Sequence, residues 1–520
     1  MKKTVFTLVV VIAGFLLVVR SADLEEKPET DFLFWSRMTM GKVVESTVET
    51  GGYDVPFRGE TMEKIDGGIK VTRRLTPTLT GRLNLGVVVN AATVTPKGLT
   101  YEYGSKKVGP VLLDAALQYQ RGGLLFDSDR FFAELGYFPF KYNPQSTNLG
   151  EYLFRSGTYP GWLISGFEHS IDKPKVGGVH LSYNTGEAIR LRHDLLVSTE
   201  LEVFPYRDIN LTYIFTPAFR RYRTFLELGS GIQYARLISV DPRKTTIGSD
   251  PVYKDRYDPK IGYRKIETDD STSDTTIYRY TFSGIKLMAR ATFDCKGLWQ
   301  GWEDIFGPED LKFYGEAAFL GVKNYPGWYE EPRERVPAML GFNWPTHPLM
   351  SYTVIPGAMA FALEPVQDKK ILRAGVFGAA GIAAGFGSWL AERFLGWDSK
   401  MDIISIEIER YESPYANAQD YIWKGDSPVP YFSGRPAGSS YPDYDRDWND
   451  SLAQTNDNIK WSVYASKHIG KHVRLSAQAA CDHTPKNWYT PWPAPQSAKY
   501  SDMVPLTSDW YFMMRMSLYF

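Results

Sequence analysis

Apolar and polar residues alternate with a period of two along most of this chain. The final stretch, "DWYFMMRMSLYF", sets Trp510, Phe512, Met514, Met516, Leu518 and Phe520 on one side. Tyr511, Met513, Arg515, Ser517 and Tyr519 fall on the other. In a strand successive side chains point to opposite faces, so this period predicts a strand with one wholly apolar face. "GRLNLGVVVN" repeats the arrangement, with Leu83, Leu85, Val87 and Val89 opposed to Arg82, Asn84 and Asn90. In "AIRLRHDLLVSTELEVF", Ile189, Leu191, Leu195, Val197, Leu201 and Val203 alternate with Arg190, Arg192, Asp194, Ser198, Glu200 and Glu202. "IISIEIER" opposes Ile404, Ile406 and Ile408 to Ser405, Glu407 and Glu409, and "IKWSVYASKHIGKHVRLSAQAAC" reads as a hairpin turning near Gly470.

Several runs reach about ten residues, where strands of globular proteins usually have five or six and a tilted strand needs about ten to cross a bilayer. Long segments rich in Pro, Gly, Asp, Ser and Tyr separate many of them, at roughly 93–109, 141–160, 241–276, 323–353, 413–458 and 484–508. Short turns on one side and long loops on the other predict an all-β transmembrane antiparallel barrel. An even count of about 16 strands is expected, within a range of about 14–18. "ILRAGVFGAAGIAAGFGSWLAERFLGW" breaks the pattern: it carries no charge from Ala374 to Ala391 and has GxxxG at Gly381 and Gly385. Gly is costly inside a helix, so the expectation is a Gly-rich strand over 371–387 and a short helix or turn over 388–396. "LWQGWEDIFGPED" is the other candidate for a short helix.

Composition refines the picture. The mean hydropathy of −0.30 would suit a soluble protein, but alternating strands average out a lipid face. A net charge of −1 gives no bulk field to attract nucleic acid. At the start, Lys2 and Lys3 precede an apolar run from Val5 to Val19 and then Ser21-Ala22, which predicts a signal peptide over 1–22 and one barrel domain over 23–520. Of the two cysteines, Cys295 falls near the short-turn side of this trace and Cys481 near the other, so no disulfide is expected between them.

These features together resemble the outer-membrane β-barrel proteins of Gram-negative bacteria, porins in particular. In that family the last strand commonly ends in Phe with apolar residues at alternate positions before it, matched here by Phe512, Met514, Met516, Leu518 and Phe520 in the strand 509–520. The resemblance implies that this strand is read by the barrel-assembly machinery, and that the partners are outer-membrane lipids, small polar solutes and, in a homotrimer, copies of the chain. It also implies that a loop folds inward to narrow the pore. Two stretches are candidates, Phe140 to Gly161 and 323–353.

The alternation assigns Arg82, Arg190, Arg192, Glu200, Glu202, Glu227, Arg290, Glu316, Glu407, Glu409 and Arg474 to the lumen as candidate selectivity residues, with Asp114, Glu134 and Lys312 beside them. Charges in a wet bore are tolerable, whereas a Lys or Arg facing lipid at the midplane costs about 2–4 kcal/mol. Loops such as "NWYTPWPAP" mix aromatic and polar residues, which suits sugar rings as well as an interfacial girdle. No GxSxG, HExxH or P-loop pattern occurs among the seven histidines and their surroundings. The expectation is therefore a channel for passive diffusion, with no catalytic residue, metal or cofactor. A structural, adhesion or assembly barrel with an occluded lumen is one alternative, and an outer-membrane hydrolase is another.

Overall fold

The computed structural model describes residues 29–45, 61–92, 108–123, 128–154, 175–186, 189–199, 208–239, 257–258, 262–268, 275–280, 284–301, 306–320, 322, 332–346, 400–410, 459–481 and 510–520. The strands, in chain order, are β1 (Glu29–Glu45), β2 (Thr61–Arg74), β3 (Leu79–Ala92), β4 (Val108–Gly122), β5 (Arg130–Pro139), β6 (Lys175–Thr185), β7 (Ile189–Thr199), β8 (Asp208–Arg220) and β9 (Thr224–Ser239). They continue as β10 (Tyr257–Asp258), β11 (Gly262–Thr268), β12 (Thr275–Tyr280), β13 (Gly284–Asp294), β14 (Lys312–Phe319), β15 (Ala338–Asn343), β16 (Ile403–Arg410), β17 (Ile459–Ile469), β18 (Val473–Cys481) and β19 (Trp510–Tyr519).

Sixteen of these close into one barrel in sequence order, each antiparallel to its neighbours. β10, β11 and β12 form a separate three-stranded sheet within the connection from β9 to β13, so β9 pairs directly with β13. The seam is β1 against β19, with Trp35 opposite Tyr519 and Met40 opposite Met514. Beyond the paired strand, Phe520 N–H donates to the Phe34 carbonyl at 2.8 Å and Phe34 N–H donates to the Phe520 carbonyl at 3.0 Å. A closed sheet leaves no unpaired edge, which is the condition for strands to stand in hydrocarbon.

Alternation sets the two faces as the sequence predicts. Phe32, Met514, Ile408 and Leu340 point outward at 55–73% exposure, with Phe34, Leu85 and Leu287 in the same belt. Phe512, Met516, Leu518 and Phe520 share that face, while Tyr511, Met513, Arg515 and Ser517 are buried inside. Gly470, with φ +64°, turns β17 into β18 where the sequence marks a tight turn.

Two expectations need correcting. The stretch 323–353 is not one loop, because Pro332–Arg335 is a 3-10 turn and β15 lies within it. β15 shows little polar alternation because its inward residue Met339 packs in an apolar cluster and Gly341 lies under Tyr314, leaving Asn343 as its inward polar residue. The run from Ile189 is a strand through Thr199, and its expected continuation to Val203 lies outside the described residues. Finally, long connections are not confined to one rim. The segment 344–402 leaves from the end that carries the short turns at 75–78, 186–188, 221–223 and 470–472. The proposed Gly-rich strand at 371–387, and the helix or turn after it, lie outside the described residues, and the barrel closes with β15 paired directly to β16. Of the other suspected helical stretch, 298–310, residues 302–305 lie outside the described residues, and a 3-10 turn at Cys295–Gly297 immediately precedes it. Cys295 and Cys481, at opposite rims, are free thiols.

If the outward face stands in lipid, Met514→Lys lowers the unfolding free energy in bilayers by about 2–4 kcal/mol. Urea titration of the vesicle-folded protein measures it, and an unchanged midpoint would remove the lipid belt from that face.

Candidate functional site

Residues after β5 turn into the barrel and dock on the luminal wall. Tyr142, Leu149, Tyr152 and Leu153 pack against Leu196 of β7, Ile214 of β8, Met288 of β13 and Met339 of β15. Burying such side chains is worth about 1.5–3 kcal/mol each, so this patch fixes where the loop lies.

Polar contacts then fix its orientation. Six consecutive backbone amides donate to three wall carboxylates. Thr147 N–H donates to Glu407 Oε1 at 2.5 Å, and Asn148 and Leu149 N–H donate to Glu407 Oε2 at 2.9 and 2.8 Å. Gly150 N–H donates to Glu409 Oε2 at 3.0 Å. Glu151 and Tyr152 N–H donate to the two oxygens of Glu316 at 2.9 and 2.7 Å. The outgoing carbonyls meet a cation instead: Lys286 Nζ donates to the Tyr152 and Leu153 carbonyls at 3.0 and 3.1 Å. Hydrogen bonds to a charged group contribute about 1.5–3 kcal/mol, roughly twice a neutral one. Glu316, Glu407 and Glu409 are each at most 3% exposed, so these loop donors stand where water would otherwise solvate the carboxylates.

Small residues permit the close approach. Gly150 has φ +81°, and a Cβ there would meet Glu316 Oε2 at 2.9 Å. The Tyr314 ring lies over Gly341, where a Cβ would fall 2.2 Å from it. That placement brings the Tyr314 hydroxyl to Glu407 Oε1 at 2.8 Å and to Ser405 Oγ at 2.5 Å.

Within the loop Glu151 accepts from the Tyr142 and Asn143 amides at 3.0 and 2.8 Å. Its full burial, with Glu316 alongside, pushes its carboxyl up to about 8 despite Lys141 and these two amides. Lys141 Nζ in turn donates to the Ser146 carbonyl.

The remaining predicted luminal residues fall into separate groups. Arg82 bridges Asp114 at 2.9 Å and Glu134 at 2.8 Å. Arg192 pairs with Asp194 at 2.8 Å, which also meets His180 Nε2 at 2.9 Å. Arg290 pairs with Glu227 at 2.7 Å and stands 5.8 Å from the centre of the Tyr142 ring, tying this wall to the loop. Arg474 donates to Tyr464 Oη at 2.9 Å on the other wall. Arg190 lines a cavity near the short-turn rim together with Lys312. Glu200 and Glu202 lie outside the described residues. Glu151, Lys286, Tyr314 and the apolar docking patch are absent from the sequence-based selection. A signal for the patch existed in breaks of alternation such as Leu195-Leu196.

Each of the four described histidines has a polar partner, His180 meeting Asp194 as given above. His193 meets Tyr213, His468 meets Asp402, and His472 meets the Tyr519 carbonyl. None of the described histidines has a serine hydrogen-bond partner, and no group of metal-ligating side chains occurs among the described residues. His169, His347 and His483 lie outside them.

No protein-family model and no curated protein matches this chain. Among solved structures it is similar to a triple-mutant porin of Rhodopseudomonas blastica, at 6% identity over 95% of this chain and 100% of that one, with a TM-score of 0.36. It is also similar to OprB of Pseudomonas putida at 9% identity, 94% of either chain and 0.39. For OmpF of Salmonella typhi the values are 8%, 94% of this chain, 97% of the other and 0.38.

Two outcomes test the clamp. Replacing the carboxylate in Glu407→Gln weakens loop docking by at least about 1.5 kcal/mol, roughly a tenfold gain in the undocked population. Cysteines placed on the loop and on β16 report it through a lower crosslinking yield than in the wild-type background. Because Glu151 binds its proton more tightly when docked, docking is strongest below pH 4.5 and weakens as pH rises through about 8. The same crosslink followed against pH should fall over that window, and Glu151→Gln should flatten the profile.

The sixteen-stranded closure, the outward apolar belt and the loop clamped on the inner wall make this chain a closed antiparallel β-barrel with an infolded loop, a fold similar to that of porins.

Proposed function

We propose that the protein is a passive-diffusion pore for small hydrophilic solutes, narrowed by the loop from Phe140 to Leu153 and screened by luminal charge. The observation that carries this reading is the clamp of six loop amides on Glu316, Glu407 and Glu409. A loop held inside a bore by charged bonds sets a fixed constriction, as a size filter requires. A barrel of about 16 strands has a bore wide enough for water, unlike the side-chain-filled core of an eight-stranded one. Arg82, Arg190, Arg192, Glu227, Arg290, Glu316, Glu407, Glu409 and Arg474 supply acid and base around the wall, and Glu200 and Glu202 add to it. Sugars are one solute class compatible with the aromatic loops.

In this reading residues 1–22 direct export. The assembly machinery reads Phe512, Met514, Met516, Leu518 and Phe520. The barrel works as a homotrimer without cofactor, metal or catalytic residue.

A second reading, an occluded structural or adhesion barrel, draws support from the wall away from the loop. There Thr39, Asp66, Tyr511 and Met513 are each at most 1% exposed. Reconstitution into planar bilayers separates the two. The pore reading expects stepwise, ion-carrying openings that scale with salt concentration. A folded protein that inserts without conducting would leave the occluded barrel.

A further inference from the structure

On the short-turn side of the docked loop lies a cavity of about 420 Å³, between the loop tip at Gln145 and the wall formed by β7, β8, β9, β13 and β14. Its lining is strongly basic, with Arg190, Arg220, Arg223 and Lys312 against Glu227 and Asp294. Both acids are already engaged. Glu227 is paired with Arg290 at 2.7 Å, and Asp294 is shared by Arg223 at 2.9 Å and Lys296 at 3.0 Å. Lys312 is paired with Glu309 at 2.8 Å. Arg190 and Arg220 are left over. Neither has a carboxylate partner among the described residues, and both are exposed to the cavity solvent.

The register explains why these two guanidiniums share one place. Arg190 stands opposite Ala218 in the β7–β8 pair, and Arg220 is two residues further along β8, on the same face. Ala218 is small and buried, so it leaves the space between the two arginines unfilled. The same row continues through Glu227 to Thr292, which closes the far side of the cavity.

We propose that this cavity binds small dianionic oxyanions, with Arg190 and Arg220 as the anchoring groups. A guanidinium offers planar paired donors that match phosphate and carboxylate oxygens, so two of them suit a ligand with two charges. The cavity volume lies within the range of small-ligand sites. Arg223 and Lys312, each held by its own acid, add positive potential that is screened within about 8–10 Å at ordinary ionic strength. The inference deepens the pore reading, since such a site would select the anions that the constriction admits. The binding itself does not depend on conduction.

Calorimetric titration of the detergent-folded barrel with inorganic phosphate, and separately with succinate, tests it. Binding is expected for at least one anion, and the comparison decides between a phosphate and a dicarboxylate site. Arg190→Gln and Arg220→Gln should each weaken it by roughly tenfold. R190K/R220K keeps the charge but loses the paired donors, and should lie between wild type and the double Gln variant. Heat-modifiable migration on gels verifies that each variant is a folded barrel. The absence of binding heat with both anions, or equal affinity in wild type and R190Q/R220Q, overturns the proposal. Conductance measured on the same preparations judges the pore reading separately, so a site that binds in a barrel that does not conduct would remove that reading and keep this one.

Discussion

The interior arrangement depends on one constraint: three carboxylates on the inner wall can stay buried only if donors reach them, and the loop backbone supplies those donors. Glu407 alone receives three amides and a tyrosine hydroxyl. A buried carboxylate without such partners would cost several kcal/mol, and six amides without acceptors would cost a comparable amount. Each side therefore satisfies the other. The loop lies where the glutamates are, and the glutamates find their donors where the loop is.

Apolar packing and this polar clamp divide the work. Leu196, Ile214, Met288 and Met339 make one sector of the inner wall greasy, which draws in Tyr142, Leu149, Tyr152 and Leu153 but does not fix their register. Directional bonds do that. The change from amides facing carboxylates to carbonyls facing Lys286 sets the direction in which the chain must run. Glycine completes the fit only where backbone and side chain nearly touch, at Gly150 and under Tyr314 at Gly341.

The barrel was legible in the sequence because a lipid face and a watery face impose a strict period of two on each spanning strand. That requirement exposed the outward positions of β3, β7, β16 and β19, and with them the inward charges. β15 was hidden because Met339 on its inner face packs against the loop, so an apolar residue replaced the expected polar one. The choice of infolded loop was hidden for a related reason. It depends on Glu316, Glu407 and Glu409, which come from strands more than 160 residues away in the chain. No local pattern encodes that meeting. Lys286 and Tyr314 could be read as wall residues, but their role as acceptors' and donors' partners appears only once the loop is in place.

The seam between β1 and β19 has a temporal side. Arg515 Nε donates to Thr39 Oγ1 across 476 positions of sequence. Closing so long a span is entropically expensive and gains nothing until both strands are present. An emerging polypeptide would therefore keep an open, sticky edge at β1 throughout its delivery, and would need protection from its neighbours until the last hairpin arrived.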